Sequence, residues 1–428
     1  MRWIRREAMA VALVSSVTGG ASATATGWPQ WGGPTRDFKS ESRGLAASWP
    51  ASGPKEMWSR PLGEGYSGIA VENGVLYTQY RPVKGFFSAV VSRFTGSQPE
   101  VVTAIDAASG KTLWEQVYEA PILSGMDTGY GPGPNSTPLV AGDLVFAVGS
   151  TGKLHALEKK TGRVVWKKDL WGEMGGQVHG RGYAPSPLAY GDNVILPVGG
   201  AGQALVAFKQ RDGQVAWKNH TFDIAPASPV LITVDGQEQL VLFHGEGVAG
   251  VDPNGGPLFW KHSHRTQYNL NISTPVWGDG NLLFVSSAYD GGSRVLRLRR
   301  NGDQTKVEEV WFSSKMRVHF GDAIRLGDVV YGSSGDFGPA FFVAMDVASG
   351  KVLWQDRQLG RATQVAADGK LVLLDEQGVL ALATPGPDGL RVLSRAQVLN
   401  GRSWTAPSLV GTQLFLRDRT TIKALDLG

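Results

Sequence analysis

Residues 102–114 read Val-Thr-Ala-Ile-Asp-Ala-Ala-Ser-Gly-Lys-Thr-Leu-Trp, and this stretch decides the fold because it recurs along the chain. Two alternating apolar runs flank a polar turn that carries glycine, which is the signal of a β-hairpin. Copies run from Leu154 to Trp166, Leu205 to Trp217, Val248 to Trp260 and Phe342 to Trp354. One copy, Val295 to Trp311, reads as having a longer turn, and a degenerate one spans Val379 to Leu393. A second pair of short strands lies upstream of each hairpin, as in Thr137 to Phe146, Ser186 to Pro197, Ser228 to Phe243, Ser273 to Val285 and Ala366 to Leu374. Two such pairs make a four-stranded antiparallel sheet of roughly 40 to 55 residues, the size of a propeller blade. Trp58, Trp114, Trp166, Trp217, Trp260, Trp311 and Trp354 follow one another at intervals of 43 to 56 residues, and the degenerate copy places its equivalent near Leu393.

The ends of the repeat set the number of blades. Glu56-Met57-Trp58-Ser59 is an outer strand with no hairpin before it, while Thr421 to Leu427 has no outer strand after it. Pairing the two closes a ring and removes the sheet edges that an open array would expose. The expectation is an all-β, eight-bladed propeller, with seven blades as the alternative if the Val379 to Leu393 copy is not a blade.

Repetition itself argues that the motif residues are structural. A large ring at one place in nearly every repeat fills the wedge between twisted sheets, burying on the order of 200 Å². Asp106 and Asp346 are placed to accept turn N–H groups, and Gly110, Gly162, Gly213 and Gly350 to supply positive φ.

The start of the chain has a different character. Met1-Arg2-Trp3-Ile4-Arg5-Arg6 precedes an apolar run from Ala8 to Val17 and then Ala21-Ser22-Ala23. A basic start, a short apolar stretch and a small-x-small end are the marks of a cleaved export leader, taken as residues 1–23. Residues 24–54 then form an extension packed on the propeller at 55–428. The apolar run is too short for a membrane span. With no cysteine in the chain there is no disulfide, no thiolate site and no point of lipid attachment, so a periplasmic or extracellular, untethered monomer is expected. The 42 basic and 38 acidic residues are too balanced and dispersed for a nucleic-acid partner.

The motif Ala-apolar-Asp-x-x-(Thr/Ser)-Gly-(Lys/Arg)-apolar-apolar-Trp resembles the repeat of quinoprotein alcohol dehydrogenases and of their non-enzymatic relatives. The likeness covers about residues 55–428. Trp28-Pro29-Gln30-Trp31-Gly32-Gly33-Pro34 and Gly335-Asp336-Phe337-Gly338-Pro339-Ala340 are similar to segments of exported proteins with the same repeat. For an enzyme the resemblance implies a pyrroloquinoline quinone held against calcium by carboxylate and amide ligands, with an aspartate base. Asn135, Asn269, Asn271, Asp290 and Asp336 lie on suitable loops but make no recognisable set, and the family's adjacent cysteine pair and a haem-attachment Cys-x-x-Cys-His are absent. No cofactor or metal is therefore assigned. The preferred expectation is a non-catalytic interaction scaffold of the cell envelope, similar in repeat type to the propeller lipoproteins of outer-membrane barrel assembly. A quinone- and calcium-dependent dehydrogenase of alcohols or sugars is the alternative.

Strand direction predicts the working surface. Links between blades and loops between second and third strands share one face, and the short hairpin turns share the other. Binding favours long loops on a rigid frame. The long-loop face would carry His179, Arg181, His264, Arg265, Asn269, Arg317, His319, Arg402 and Trp404 around an axial, electropositive funnel suited to an anionic ligand or acidic peptide. The insertion 81–100 would add Phe86, Phe87, Val90, Val91 and Phe94, read either as a protein-contact patch or as a lid over the funnel.

Overall fold

The computed structural model describes residues 27–83, 98–336 and 338–428. These build eight four-stranded antiparallel sheets, each a meander in sequence order except the last. Blades 1 to 7 span 70–119, 139–169, 188–219, 230–263, 276–313, 324–356 and 362–397. Blade 8 takes three strands from 408–426, and its outer strand is Lys55–Pro61, paired antiparallel with Thr421–Asp426. The ring is closed as expected, and the degenerate copy is a full blade. Its second hairpin pairs Val379–Pro385 with Leu390–Gln397.

Blades stack face to face, so their middle strands are apolar on both sides. Phe146, Phe208, Phe243, Phe284, Phe342 and Phe415 are all fully buried at these junctions. The motif's hairpin explains the tryptophans. A bulge after Ala104, Ala156, Ala207, Gly250, Val295 and Ala344 sets the opposing tryptophan into the next junction. At five junctions the indole then donates to a turn carbonyl of the following blade: Trp58 to Ala107 at 2.8 Å, Trp114 to Lys159 at 3.0 Å, Trp166 to Gln210 at 2.7 Å, Trp311 to Val347 at 2.7 Å and Trp354 to Gly386 at 2.9 Å, whereas Trp260 donates to Gln239 of its own blade. The turn glycine lies beneath the ring, so a Cβ on Gly350, at φ +69, would come within 2.6 Å of Trp311. That glycine serves both the left-handed backbone and the close approach. Asp106 and Asp346 accept the N–H of Ser109 and Ser349, each at 2.8 Å.

Two departures from the sequence reading have simple causes. The Val295 to Trp311 copy has longer strands rather than a longer turn: Gly292–Asn301 and Gln304–Ser313 pair along their whole length, leaving a two-residue turn. In the degenerate copy the bulge puts Ser394, one residue beyond Leu393, in the tryptophan's place. Trp49 of the extension meets that gap, its N–H bonding the Ser394 hydroxyl at 2.6 Å.

The extension does more than coat the surface. First strands of neighbouring blades converge on the axis, and residues 28–40 thread between them. Trp28 bridges Val71 of blade 1, the N–H of Val140 in blade 2 donates to the Pro29 carbonyl at 2.8 Å, and Lys39 bridges Ala366 of blade 7. Trp31 reaches across to the hydroxyl of Thr274, before blade 5, at 2.9 Å. Arg36, buried in the channel, gives its N–H groups to the carbonyls of Ser186 and Pro187. Burial pulls its guanidinium down to about 9. Above this plug a belt of hydroxyl and carboxyl groups stitches the blades: Thr137 N–H to Ser186 Oγ at 3.0 Å, Ser186 N–H to Ser228 Oγ at 2.9 Å, and Thr274 N–H to Asp322 Oδ1 at 2.7 Å. At the ring closure, fully buried Arg417 donates to the carbonyls of Gln79 at 2.8 Å and Gly63 at 3.1 Å.

Candidate functional site

Seven links between blades and the entry from blade 8 converge above the plug, and an aromatic cluster lies where they meet. Trp404, on the link from blade 7 to blade 8, stacks on Tyr66 at 5.3 Å and packs against Phe320 at 4.8 Å and Tyr130 at 5.9 Å. Phe320 continues to His319, which lies edge-on to Tyr289, itself edge-on to Tyr268. The Tyr66 hydroxyl donates to the Tyr130 carbonyl at 2.7 Å, tying the first two links together. Two arginines cover the outside: Arg402 lies 4.6 Å over Trp404, and Arg181 lies 4.9 Å over Tyr130. Tyr130 and Tyr268 remain about half exposed.

The structure therefore brings together Arg181, His319, Arg402 and Trp404 of the expected set, with Arg317 beside them through Asp336, which also accepts the Tyr289 N–H. His179 supports this group from the rim, its ring nitrogen accepting the Arg181 N–H at 3.2 Å. The remaining members lie elsewhere. His264 is buried at the junction of blades 4 and 5, where Arg294 donates to it at 3.0 Å. Arg265 sits exposed against Glu246 at 3.4 Å. Asn269 is an exposed turn residue at φ +54, a conformation asparagine tolerates. Tyr66, Tyr130, Tyr268, Tyr289 and Phe320 went unremarked in the sequence, although an aromatic residue on so many long links was a usable signal.

Most arginines of this face are paired with carboxylates. Arg181 pairs with Asp127 at 2.5 Å, Arg317 with Asp336 at 3.4 Å, Arg361 with Glu376 at 3.2 Å and Arg419 with Glu64 at 3.0 Å. The histidines add no charge near neutrality. Burial holds His179 and His319 down to about 4, with Arg181 and Arg361 respectively opposing protonation, and burial with Arg294 holds His264 at about 3. Among the described residues Arg402 has no carboxylate within 4 Å, so the cluster's one unneutralised cation sits on its aromatic face.

The oxygen donors on this face are also committed. Glu376 accepts from Arg361 and from the Trp404 indole at 3.2 Å. Asn271 is fully buried, donating to the carbonyls of His244 and His264 and accepting from Ser287. Asp290 is exposed at the rim, 3.9 Å from Arg317. Among the described residues no three His, Asp or Glu side chains are grouped to hold a metal ion. The insertion's base is locked by a buried pair, Arg81 to Glu100 at 2.7 Å, with Tyr118 donating to Glu100 at 2.9 Å and Arg81 also donating to the Gln98 carbonyl. Phe86, Phe87, Val90, Val91 and Phe94 lie outside the described residues, as do residues 1–23, which the sequence reads as an export leader. No helix among the described residues is long and apolar enough to cross a membrane.

Comparisons with known proteins agree with this architecture. The family model described as outer membrane protein assembly factor BamB matches residues 98–356, more than half of the chain. The outer membrane protein assembly factor BamB of Yersinia pestis is 24% identical over 287 residues, which cover 65% of this chain and 64% of that protein. The chain thus matches less than two thirds of that relative's length. Among solved structures, BamB from Moraxella catarrhalis matches with a TM-score of 0.59 at 17% identity, over 87% of this chain and all of that one. Quinohemoprotein alcohol dehydrogenase from Comamonas testosteroni matches with a TM-score of 0.64 at 13% identity, over 95% of this chain and 81% of that one. At such identities the two structures speak for the fold alone. The repeat, the closed ring of eight blades and the family match lead to one identification: this chain belongs to the PQQ-like propeller family described by the outer membrane protein assembly factor BamB model.

Proposed function

We propose that the chain is a non-catalytic, exported propeller of the cell envelope that docks a protein partner on its long-loop face, with Tyr66, Tyr130, Phe320, Arg402 and Trp404 as the anchor. The carrying observation is the composition of that cluster. Tyrosine, tryptophan and arginine dominate binding hot spots because they present large, stiff contact area with a polar edge, and here four links hold them on a frame closed by the whole ring. A rigid anchor loses little freedom on binding. The assembly role in the relatives' names supports a protein partner, and the basic-apolar-small leader supports export.

The dehydrogenase reading finds less support. A flat tricarboxylate quinone needs an open ring face and free cationic contacts, and calcium needs several uncommitted oxygen ligands. Trp404 is stacked on Tyr66 and packed against Phe320, while Asp127, Asp336 and Glu376 are held by arginines. The axis below is filled by Trp28, Trp31 and Phe38. These residues do not fit the cofactor, and no catalytic step is assigned to them.

A photoreactive amino acid at Tyr130, with Lys111 on the turn face as control, tests the docking reading in the native host. A discrete cross-linked envelope protein from Tyr130 and none from Lys111 is expected. Equal labelling from both positions, or none from Tyr130, would overturn it. Quinone with calcium should leave the melting temperature unchanged and give no dye reduction with alcohols or sugars.

A further inference from the structure

A polar cleft of about 390 Å³ opens on the long-loop face between blades 6 and 7. Its inner end adjoins the aromatic mouth, because Glu376 accepts from both Arg361 and the Trp404 indole. Arg361 is committed within the fold: it sits at φ +50, and its Nη2 donates to the carbonyls of Asp336 at 2.8 Å and Gly338 at 2.7 Å. On the cleft floor Asp375 accepts the N–H groups of Gln377 and Val379, each at 2.9 Å.

Arg357 and Arg395, which line the outer part, are differently placed. Both are exposed, and among the described residues neither has a carboxylate within 4 Å. The Arg357 guanidinium lies 4.9 Å over the Phe341 ring, which orients the cation without neutralising it. Two exposed cations in a polar cleft, Arg357 oriented by its ring and Arg395 within electrostatic reach of Asp375 on the floor, lead outward from an aromatic anchor that carries a third in Arg402 and form a charge pattern with direction. Its complement is an extended chain bearing carboxylate side chains, since guanidinium groups bind carboxylates through paired N–H donors.

We infer that this cleft binds an acidic, extended segment of the docked partner, whose carboxylates meet Arg357 and Arg395. The inference rests on the docking reading above and names the chemistry of the partner.

The test uses the full-length chain. It is titrated with a dansyl-labelled decapeptide of alternating glutamate and alanine, with its glutamine counterpart, and with inorganic phosphate. The acidic peptide is expected to bind with an affinity that falls as salt is raised, and the glutamine peptide about tenfold more weakly. Arg357→Gln combined with Arg395→Gln should weaken the acidic peptide about tenfold while leaving the melting temperature in place, because both side chains are exposed. Equal affinity for the two peptides, or an acidic peptide indifferent to the double substitution, overturns the inference. Phosphate binding without peptide binding also overturns it and leaves a small-anion site. Cross-linking from Tyr130 separates the two readings: a cross-link that survives the double substitution at full strength rejects the cleft and keeps the docking surface, whereas its absence from the unsubstituted chain rejects the docking surface itself.

Discussion

At the hairpin-turn end of the propeller, a glycine at φ between +69 and +84 lies beneath a tryptophan of the preceding blade at five junctions, Gly110, Gly162, Gly213, Gly255 and Gly350. At the long-loop end the aromatic residues follow no repeat: Tyr66, Tyr130, Phe320 and Trp404 each come from a different link and meet only because the ring brings the links together. Both ends use indole rings, but with opposite consequences. Trp166 is buried between Phe146 and Phe208 and joined to the next blade, while Trp404 is half-buried at a surface edged by exposed Tyr130. Local repetition builds the frame, and variable links build the contact surface. A mutation at one end should therefore move stability, and at the other, recognition.

The sharpest break of that comparison is a matched pair. Trp166→Ala removes a ring packed between two phenylalanines and should cost about 3 to 5 kcal/mol in urea unfolding, with partner cross-linking retained at low denaturant. Trp404→Ala should cost about 1 kcal/mol and abolish the Tyr130 cross-link, because its ring stacks at the surface rather than between blades. Equal stability losses would erase the distinction. Gly350→Val comes next: a branched Cβ at φ +69 and 2.6 Å from Trp311 should cost about 2 to 3 kcal/mol, whereas alanine at Gly327, where an added Cβ meets nothing within 4 Å despite φ +60, should cost about 1 kcal/mol.

Acid provides a third contrast. Burial, the largest cause in each case, holds His155, His179, His244 and His319 down to about 4 and His264 to about 3, and also lowers His220. Unfolding frees these rings to take up protons near 6.5, so their contribution is present above that pH and is lost as pH falls towards about 4. His179, His220, His264 and His319 lie in the links between blades, and His155 and His244 on strands that border the loops between second and third strands on the same face. Hydrogen exchange at pH 4.5 should therefore rise first in the long links and last in the hairpin turns; uniform exchange would count against this.

The smallest expected effect concerns Asp322, whose carboxyl burial raises to about 6 against its 3.8 reference. Its sign is opposite: the stabilisation is complete below about 4 and is lost as pH rises through 6. Asp322→Asn keeps an acceptor for the Thr274 N–H and should raise the melting temperature slightly at pH 7 but not at pH 4, as read by calorimetry.

Much of the frame was legible because its rules are local. Alternation, a turn glycine and an aspartate lie within thirteen residues of one another, so the hairpin could be read wherever those residues recur, and the two incomplete ends announced the closure. What could not be read depends on where separate segments meet. Position 394 carries serine in the tryptophan's place, and only folding brings the Trp49 N–H to its hydroxyl. Trp28 and Trp31 looked like a motif of the extension, yet their place in the axial channel follows from contacts with Val71 and Thr274. His264 was expected at the funnel because it lies on a long link, and Asn271 stood among the oxygen donors of the same link, but burial commits both to the junction of blades 4 and 5.

The sequence by itself determined the repeat, the ring and the division into a turn face and a link face, because hydrogen-bonded hairpins and buried rings follow from neighbours in the chain. Tertiary structure alone decided which arginines are neutralised, which aromatic residues assemble at the mouth and what fills the axis. Those outcomes depend on distances between links far apart in sequence, and neither charge pairing nor ring stacking is encoded in the spacing along any one of them.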